Sequence, residues 1–354
     1  MSLYNNIEYQ KSIMEIQKIH IPWYKLQDKS VLVAGATGLI GTCLIDILMY
    51  KNKREALNCH VYAMSRSLES AKKVFPEQYF HNALFTFIEH DVQNPINLTD
   101  LSADYVLHLA SNTHPRVYAT KPIETIVTNI YGTKNLLDFC AKHGTKRFVF
   151  LSSVEIYGEN RGDVEQFDEK YFGYLNCNTL RAGYPESKRC GEALCQAYIV
   201  EKNLDVVILR LPRIFGPTMK EEDSKAVAQF IKRAVGRENI ILKSEGNQYY
   251  SFLYVFDAIT AILTVMLEGE CGEAYNAADD SNDITLKALA AMIAEIAGTR
   301  VIYDLPDEEE RTGYSTATLA RLTGDRLKKL GWSAHYSLKK AMEETISIIR
   351  EKNN

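Results

Sequence analysis

The sequence lacks the features that would assign it to a membrane, to the secretory pathway or to nucleic acid. No apolar run approaches the roughly 20 residues that a membrane-spanning helix needs, and the first residues, MSLYNNIEYQKS, contain no signal-peptide hydrophobic region. The formal net charge is −4 without clustered lysine and arginine, so neither nucleic acid nor a membrane surface is expected as a partner. The seven cysteines include no C-x-x-C pair, which favours free thiols in a reducing compartment. We therefore expect a cytoplasmic protein.

What the chain does contain is an alternation of short apolar runs with helix-length segments. The runs are SVLVA, CHVYAMS, LFTFIE, YVLHLA, RFVFLSS and DVVILRL. Buried strands that alternate with helices predict an α/β fold with a doubly wound parallel sheet of the Rossmann type over residues 29–215.

The chain divides further at both ends of this region. Residues 1–28 predict an N-terminal helical extension, because isoleucines recur there at helical spacing before Pro22. Mixed helical and strand-like patterns predict a smaller α/β substrate-binding domain over 216–354, of which 251–267 is expected to return to the first domain.

A glycine turn follows the first predicted strand. Gly35, Gly38 and Gly41 give the spacing G-x-x-G-x-x-G between a strand and a helix. Glycines let the backbone turn tightly and approach a pyrophosphate, whose charge the N-terminus of the next helix then meets. The turn therefore predicts a dinucleotide site.

The ends of the second and third strands bear on which dinucleotide binds. Ser65 and Arg66 stand where an acidic residue often binds the adenosine ribose. An arginine there can pair with a 2′-phosphate, so the sequence slightly favours NADP over NAD. The alternative is that Arg66 is a solvated arginine at a strand end. Asp91 is either an acceptor for the adenine amino group or a simple turn residue.

The spacing Tyr-x-x-x-Lys occurs three times. The pairs are Tyr184 with Lys188, Tyr198 with Lys202, and Tyr336 with Lys340. One helical turn places both side chains on one face, where an ammonium and the positive ring of an oxidised nicotinamide lower the phenol pKa toward the range of a general base. Only Tyr184 begins its helix, with Pro185 in the first turn. We predict that this pair is catalytic and that the other two lie on solvated helix faces.

The stretch SSVEIYG, residues 152–158, ends the fifth strand. Ligands bind at the carboxyl ends of strands in open α/β sheets, so Ser153 can hydrogen-bond the substrate oxygen that Tyr184 deprotonates. Ser152 is expected to support the backbone or the nicotinamide.

Several motifs together resemble a known superfamily. GATGLIG, LHLAS, TNIYGT, FVFLSSVEIYGE, YPESKRCGE and LRLPRIFGP are similar to the extended short-chain dehydrogenases/reductases that act as nucleotide-sugar epimerases, dehydratases and decarboxylases. The resemblance runs from about residue 28 to the C-terminus. Its framework looks most like UDP-glucuronate decarboxylase, because YFGYLNCNTLRAGYPESKR keeps Arg181, Tyr184 and Lys188 without a gap.

The resemblance implies a site and a reaction. A nucleotide-activated sugar would be oxidised transiently at C4, with Tyr184 as base and with Ser153 and Lys188 steadying the oxyanion and the cofactor ribose. Ring rotation then gives an epimer, loss of water a dehydrated sugar, and loss of carbon dioxide a pentose. The implied cofactor-binding residues are Gly35, Thr37, Gly38, Leu39, Ile40, Gly41, Ser65, Arg66, Asp91, Val92, Leu109, Ala110, Ser111, Asn129, Ser152, Tyr184 and Lys188. The implied substrate-binding residues are Thr113, Arg181, Arg213, Tyr250 and Arg311. No metal site is expected.

The chain departs from these relatives at substrate-facing positions. Val154 stands where 4,6-dehydratases carry an aspartate and decarboxylases a serine, and a valine cannot donate a proton. Decarboxylases also carry an asparagine in place of Arg213 and arginines in place of Thr218 and Tyr250. Each lost arginine removes bidentate recognition of a diphosphate or carboxylate. Arg213 is a candidate replacement, and Arg311 is a second.

Three questions stay open at this level. Glu155 is either an acid or base at sugar C5 or a structural residue beside the pocket. The function is a C4-oxidising epimerase, dehydratase or decarboxylase, or a net dehydrogenase or reductase, or a cofactor-sensing scaffold, against which the intact catalytic residues argue. Segments 115–143 and 184–202 resemble the helix pair of a homodimer interface, although a stripe buried against the sheet would show the same pattern.

Overall fold

A computed structural model describes residues 2–98, 101–111, 120–305 and 318–353. Thr113 and Arg311, two of the predicted substrate-binding residues, lie outside these ranges. The strands are β1 (Ser30–Ala34), β2 (His60–Ser65), β3 (Phe85–Glu89), β4 (Tyr105–His108), β5 (Arg147–Ser153), β6 (Val206–Leu211), β7 (Arg213–Phe215), β8 (Ile240–Leu242), β9 (Tyr249–Tyr254), β10 (Ala274–Asn276), β11 (Asp283–Thr285), β12 (Val301–Tyr303) and β13 (Leu319–Ala320). The α-helices are α1 (Ile7–Lys18), α2 (Leu39–Glu55), α3 (Leu68–Val74), α4 (Glu77–Phe80), α5 (Pro122–His143), α6 (Gly183–Lys202), α7 (Ala226–Val235), α8 (Val255–Glu268), α9 (Leu286–Ala297), α10 (Asp325–Lys328) and α11 (Leu338–Asn353).

Seven parallel strands form the main sheet in the order β10-β6-β5-β4-β1-β2-β3. Strands β1 to β6 are the six apolar runs of the sequence, so the predicted doubly wound sheet is confirmed. The edge strand β10 was not predicted, because its run of three residues is too short to show a period. The strand order reverses between β1 and β4, and in such sheets this switch point is where ligands bind.

Helices cover both faces of the sheet. Alternate residues of a strand point to opposite faces; Val31 and Val33 of β1 therefore belong to the core under α2 and α8, while Leu32 and Ala34 belong to the core under α5 and α6. Both faces are apolar, which explains why these strands read as continuous hydrophobic runs.

A smaller set of strands follows the main sheet in sequence. Strand β9 pairs with β7, β11 and β13, and β8 pairs with β12. Helix α8 follows β9 and packs against β5, β6 and α2. Helix α1 buries Tyr9, Ile13 and Ile16 and contacts α2, α8 and α11. The domain boundaries given above stay a prediction.

The described residues contain neither a helix suited to a membrane nor a group of side chains suited to a metal ion. None of their helices combines the length and the apolar character that crossing a bilayer requires. No group of three or more His, Cys, Asp or Glu side chains in the same ranges is arranged to hold a metal ion.

Candidate active site

The glycine turn forms a cradle between β1 and α2 that leaves no room for side chains. Gly35 has a φ of +94°, and a Cβ on it would lie 2.7 Å from the backbone nitrogen of Ala110 and 2.8 Å from the carbonyl carbon of Leu109. Gly38 is the N-cap of α2, so the first backbone N–H groups of this helix face the turn. The structure thus brings the turn together with Leu109 and Ala110, so that two of the predicted cofactor-binding segments meet at the switch point of the sheet.

Polar contacts occupy the predicted ribose end of the cradle. The hydroxyls of Thr37 and Ser65 are 2.9 Å apart. Arg66 Nη1 lies 3.3 Å from Glu124 Oε1 on α5, and Lys121 Nζ lies 3.2 Å from the other oxygen of Glu124. Arg66, which was predicted to bear on the choice of cofactor, therefore pairs with a carboxylate that the sequence did not suggest.

Asp91 and Val92, two predicted cofactor-binding residues in the loop after β3, differ in their surroundings. Asp91 Oδ1 accepts a hydrogen bond from the backbone N–H of Gln93 at 3.0 Å, which is the turn arrangement of an Asx residue. Val92 is buried, and a Cβ on Gly132 would lie 2.9 Å from its Cγ2. Gly132 of α5 thus permits the close approach of this helix to the loop after β3.

A chain of hydrogen bonds links β4 to the helix that carries Tyr184. Ser111 Oγ donates to Asn129 Oδ1 at 2.7 Å, and Asn129 Nδ2 donates to Ser187 Oγ at 2.8 Å. Ser187 Oγ donates in turn to the Tyr184 carbonyl oxygen at 2.8 Å. Sequence reasoning missed Ser187; its position three residues after Tyr184, where a helical serine can bond back to the preceding turn, was the available signal.

The serines at the end of β5 have different partners. Ser153 Oγ accepts from the backbone N–H of Glu155 at 3.3 Å and so caps the short 3₁₀ helix Val154–Tyr157. Ser152 Oγ is buried, and no hydrogen-bond partner for it lies within the described ranges. A buried hydroxyl with no partner in the protein is the kind of group that a ligand satisfies.

Tyr184 and Lys188 are both buried on α6. Burial raises the pKa of Tyr184 to about 12; a hydrogen bond with Ser153 lowers it, and the charge of Glu155 raises it further. Burial lowers the pKa of Lys188 to about 8, against the opposing effects of Glu192 and Cys195. Tyr184, Ser153 and Glu155 therefore form one interacting group.

The predicted lowering of the phenol pKa combines Lys188 with the positive ring of an oxidised nicotinamide, and it stays a prediction. Lys188 Nζ donates to the Leu151 carbonyl oxygen at 2.8 Å and lies 5.0 Å from the centre of the Phe150 ring. Burial outweighs the other contributions to the pKa of Tyr184, because the phenolate would lose its hydration. The protein groups by themselves thus raise the pKa of Tyr184.

Glu155 lies between two arginines. Its Oε2 is 3.9 Å from Arg181 Nη2, and its Oε1 is 3.9 Å from Arg213 Nη2. The Arg213 guanidinium carbon is 3.4 Å from the centre of the Tyr250 ring. The structure therefore brings Arg181, Arg213 and Tyr250 together around Glu155.

The other two tyrosine–lysine pairs lie elsewhere. Tyr198 donates to Asp138 on α5 at the protein surface. Tyr336 is 3% exposed and precedes α11, so its predicted place on a solvated helix face is wrong. Its ring packs against Tyr254 with centroids 5.0 Å apart. Apolar packing of the ring explains this burial.

Taken together, these residues fit a dinucleotide. The glycine cradle admits a close backbone approach, and the N-terminus of α2 suits a pyrophosphate. Ser152, at the end of β5, offers a buried hydroxyl that has no partner among the described residues. The residues that would hold it are those at the carboxyl ends of β1, β4 and β5.

Comparison with known proteins agrees with this geometry. The sequence model of the NAD dependent epimerase/dehydratase family matches residues 31–278. UDP-glucuronic acid decarboxylase 1 of Xenopus tropicalis is 31% identical over 238 residues, which are 67% of this chain and 53% of that protein. The zebrafish (Danio rerio) protein of the same name is 27% identical over 318 residues, 90% of this chain and 72% of that protein. The first match thus spans about half the length of the frog relative.

Solved structures share the fold. UDP-glucose 4-epimerase of Thermotoga maritima, determined with UDP-glucose, superposes with a TM-score of 0.76 at 22% identity, over 92% of this chain and all of that chain. The dTDP-glucose 4,6-dehydratase of Streptomyces venezuelae, determined with NAD, gives 0.77 at 21% identity, over 92% and 98% of the two chains. With the family match over most of its length, the chain belongs to the NAD-dependent epimerase/dehydratase family.

Proposed function

We propose that the protein is an NAD-dependent enzyme that transiently oxidises a nucleotide-activated sugar at C4, with Tyr184 as the base. The observation that carries this proposal is the convergence of Tyr184, Ser153 and Lys188 at the carboxyl end of β5, beside the glycine cradle. The frog and zebrafish relatives are UDP-glucuronic acid decarboxylases, and the family match supports the same class of chemistry here.

The residues have separate tasks in this reaction. Tyr184 takes the proton of the C4 hydroxyl, and Ser153 donates a hydrogen bond to the same oxygen as charge develops on it. When bound, an oxidised nicotinamide would supply a positive ring able to take up the C4 hydride and give it back. Lys188, whose ammonium donates to the Leu151 carbonyl oxygen at 2.8 Å, would steady the cofactor ribose. The Ser111, Asn129 and Ser187 chain fixes the start of α6, and thereby Tyr184.

The cofactor is proposed to be NAD. Arg66 would have to leave Glu124, 3.3 Å away, in order to bind a 2′-phosphate, and Glu124 itself would repel that phosphate. This contact supports NAD over the NADP preference drawn from Ser65 and Arg66. Titration of both cofactors tests it: the parent should bind NAD⁺ more tightly, and a Glu124→Gln variant should gain affinity for NADP⁺.

Between the two hydride transfers the leading outcome is epimerisation at C4. Val154 leaves no acid for a departing hydroxyl, which argues against dehydration. Decarboxylation is the second candidate, favoured by the two curated relatives and by the arginines beside Glu155. A product mass lower by about 44 would indicate decarboxylation, lower by about 18 dehydration, and unchanged epimerisation.

The experiment that tests the base is a comparison of two tyrosine variants on one helix. Tyr184→Phe is expected to abolish turnover of UDP-sugars while NAD⁺ binding persists, with a loss of about 100-fold or more in kcat. Tyr198→Phe is the matched control, since it removes the phenol of the second tyrosine–lysine pair on α6. Equal turnover in both variants would contradict the proposal.

We also propose a homodimer formed through α5 and α6 and a cytoplasmic location. The two helices pack side by side, and Ile123, Tyr131 and Val200 on them are 76%, 54% and 85% exposed. Large exposed apolar side chains on neighbouring helices suit a protein partner. Analytical ultracentrifugation tests this; a monomer at micromolar concentration would contradict it.

A further inference from the structure

Arg213 differs from the other charged residues of the site in two ways. Its guanidinium lies against an aromatic ring, and one of its nitrogens has no hydrogen-bond partner among the described residues. It begins β7, which pairs with β9, the strand of Tyr250. Its guanidinium lies 3.4 Å from the centre of the Tyr250 ring, and its side chain is 20% exposed. A guanidinium stacked on a partly buried ring is fixed in orientation, so its free N–H groups point in defined directions.

One of these groups lacks an acceptor. Arg213 Nη1 is buried and has no hydrogen-bond partner within the described ranges. Its Nη2 lies 3.9 Å from Glu155, which is an ion pair but too long for a hydrogen bond. An arginine cannot lose its charge to relieve this, because it stays protonated under all ordinary conditions.

The charges of the neighbouring side chains also favour an anionic ligand. Glu155 is shared with Arg181, also at 3.9 Å, so these three side chains carry one positive charge in excess. The backbone N–H of Glu155 also donates to Ser153 Oγ at 3.3 Å, so the cluster adjoins the serine at the end of β5. Thr218, where the decarboxylase resemblance has an arginine, donates to the Leu39 carbonyl oxygen at 2.7 Å and supplies no cation.

We propose that Arg213, stacked on Tyr250, binds an oxyanion of the nucleotide-sugar substrate, either on the diphosphate or on the sugar. This inference rests on the proposed function. The proposed acceptor for Nη1 is an anionic oxygen of the diphosphate or of a carboxylate on the sugar, because a charged acceptor bonds a guanidinium more strongly than a neutral hydroxyl does. Both sources offer two oxygens to the planar guanidinium fork.

The chain provides a matched control for this arrangement. Arg161 lies 4.0 Å from the centre of the Tyr174 ring and 3.7 Å from Glu159, so it repeats the arginine, tyrosine and glutamate combination. Its side chain is 61% exposed. In water such a cluster gains little from an anion, and an Arg161→Gln variant should bind ligands as the parent does.

The test measures affinities by calorimetry in the presence of NAD⁺, with pyrophosphate, UDP, UDP-glucose and UDP-glucuronate as probes. Arg213→Gln is expected to weaken binding by about 10- to 100-fold for the probes whose oxyanion it holds. An equal loss for UDP, UDP-glucose and UDP-glucuronate assigns the diphosphate. A loss confined to UDP-glucuronate assigns the sugar carboxylate. Parent-like affinities of Arg213→Gln for all four probes, or a parent that binds none of them, overturn the inference.

Two more variants keep the result interpretable. Arg213→Lys keeps the charge but loses the fork and the stacking, so an intermediate loss is expected even if Arg213→Gln folds poorly; parent-like affinity of the lysine variant for every probe would also overturn the assignment. Tyr184→Phe should bind the probes as the parent does but transfer no hydride. A parent whose binding depends on Arg213 but which never reduces its cofactor would refute the proposed function and leave the oxyanion site standing.

Discussion

Replacing the buried Lys188 by methionine should stabilise the protein while it removes activity. Lys188 is 3% exposed, and burial lowers its pKa from 10.5 to about 8. The ammonium is therefore less favourable in the folded protein than in the unfolded chain. Methionine has a similar length and no charge, so Lys188→Met removes this cost.

The size of the effect follows from the pKa and from one hydrogen bond. The lowering of the pKa from 10.5 to about 8 corresponds to about 3 kcal/mol at neutral pH. The variant leaves the Leu151 carbonyl oxygen without its donor at 2.8 Å, which costs about 1–2 kcal/mol. We expect Lys188→Met to be more stable than the parent by about 1–2 kcal/mol near pH 7.

The sign of the pH dependence is fixed by the direction of the pKa change. Below a pH of about 8 the lysine is protonated in both states and the full cost is present. Between about 8 and 10.5 the folded protein binds fewer protons than the unfolded chain, so the parent gains stability as pH rises. The advantage of Lys188→Met should therefore shrink over this window and reverse toward its upper end.

The assay is urea unfolding of parent, Lys188→Met and Lys202→Met at about pH 7 and about pH 10. Lys202 is exposed at the end of the same helix, so its variant should follow the parent at both values. Groups that titrate in all three proteins cancel in the comparison. A parent more stable than Lys188→Met near pH 7, or a difference independent of pH, would refute the reasoning.

Three further substitutions test packing and burial. Gly35→Ala should abolish NAD⁺ binding in a fluorescence titration, because its Cβ would lie 2.7 Å from Ala110 N at a φ of +94°; parent-like affinity would contradict the cradle. Gly191→Ala puts a Cβ 2.5 Å from the Phe150 ring and should lower kcat by about 10-fold or more through displacement of α6; an unchanged kcat would argue against it. Burial raises the pKa of Asp46 to about 7, so the protein loses stability as pH rises from about 4 to 7, where the unfolded chain releases this proton more readily than the folded protein does. Asp46→Asn should flatten that fall in the free energy of unfolding, measured with urea, and an equally steep fall would be inconsistent.

Local sequence signals were enough to predict the glycine turn, the main strands and two candidate residues of the site. The glycines of the turn have no substitute at a positive φ or against a neighbouring backbone, so their spacing is visible in the sequence. The six apolar runs become strands because both faces of a parallel sheet are buried. Ser153 is predicted from the rule that ligands bind at strand ends, and Tyr184 from its place at the start of a helix with Lys188 one turn later.

The other features of the site depend on contacts between residues far apart in the sequence, and no local sequence signal encodes such contacts. Arg66 meets Glu124 58 positions later, and Arg213 meets Tyr250 across two strands of the smaller sheet. Spacing could not show that burial holds the Tyr184 phenol neutral, since desolvation depends on everything packed around it. The strand β10 was missed because its pairing with β6, not its sequence, defines it.

The most direct test of the central claim uses a UDP-sugar deuterated at C4. After rapid mixing with the NAD⁺ complex and quenching, mass spectrometry of the cofactor reports whether the C4 hydrogen has moved. The account predicts deuterium on the reduced cofactor with the parent enzyme and none with Tyr184→Phe. Product formed without deuterium transfer, or equal transfer by both proteins, would contradict it.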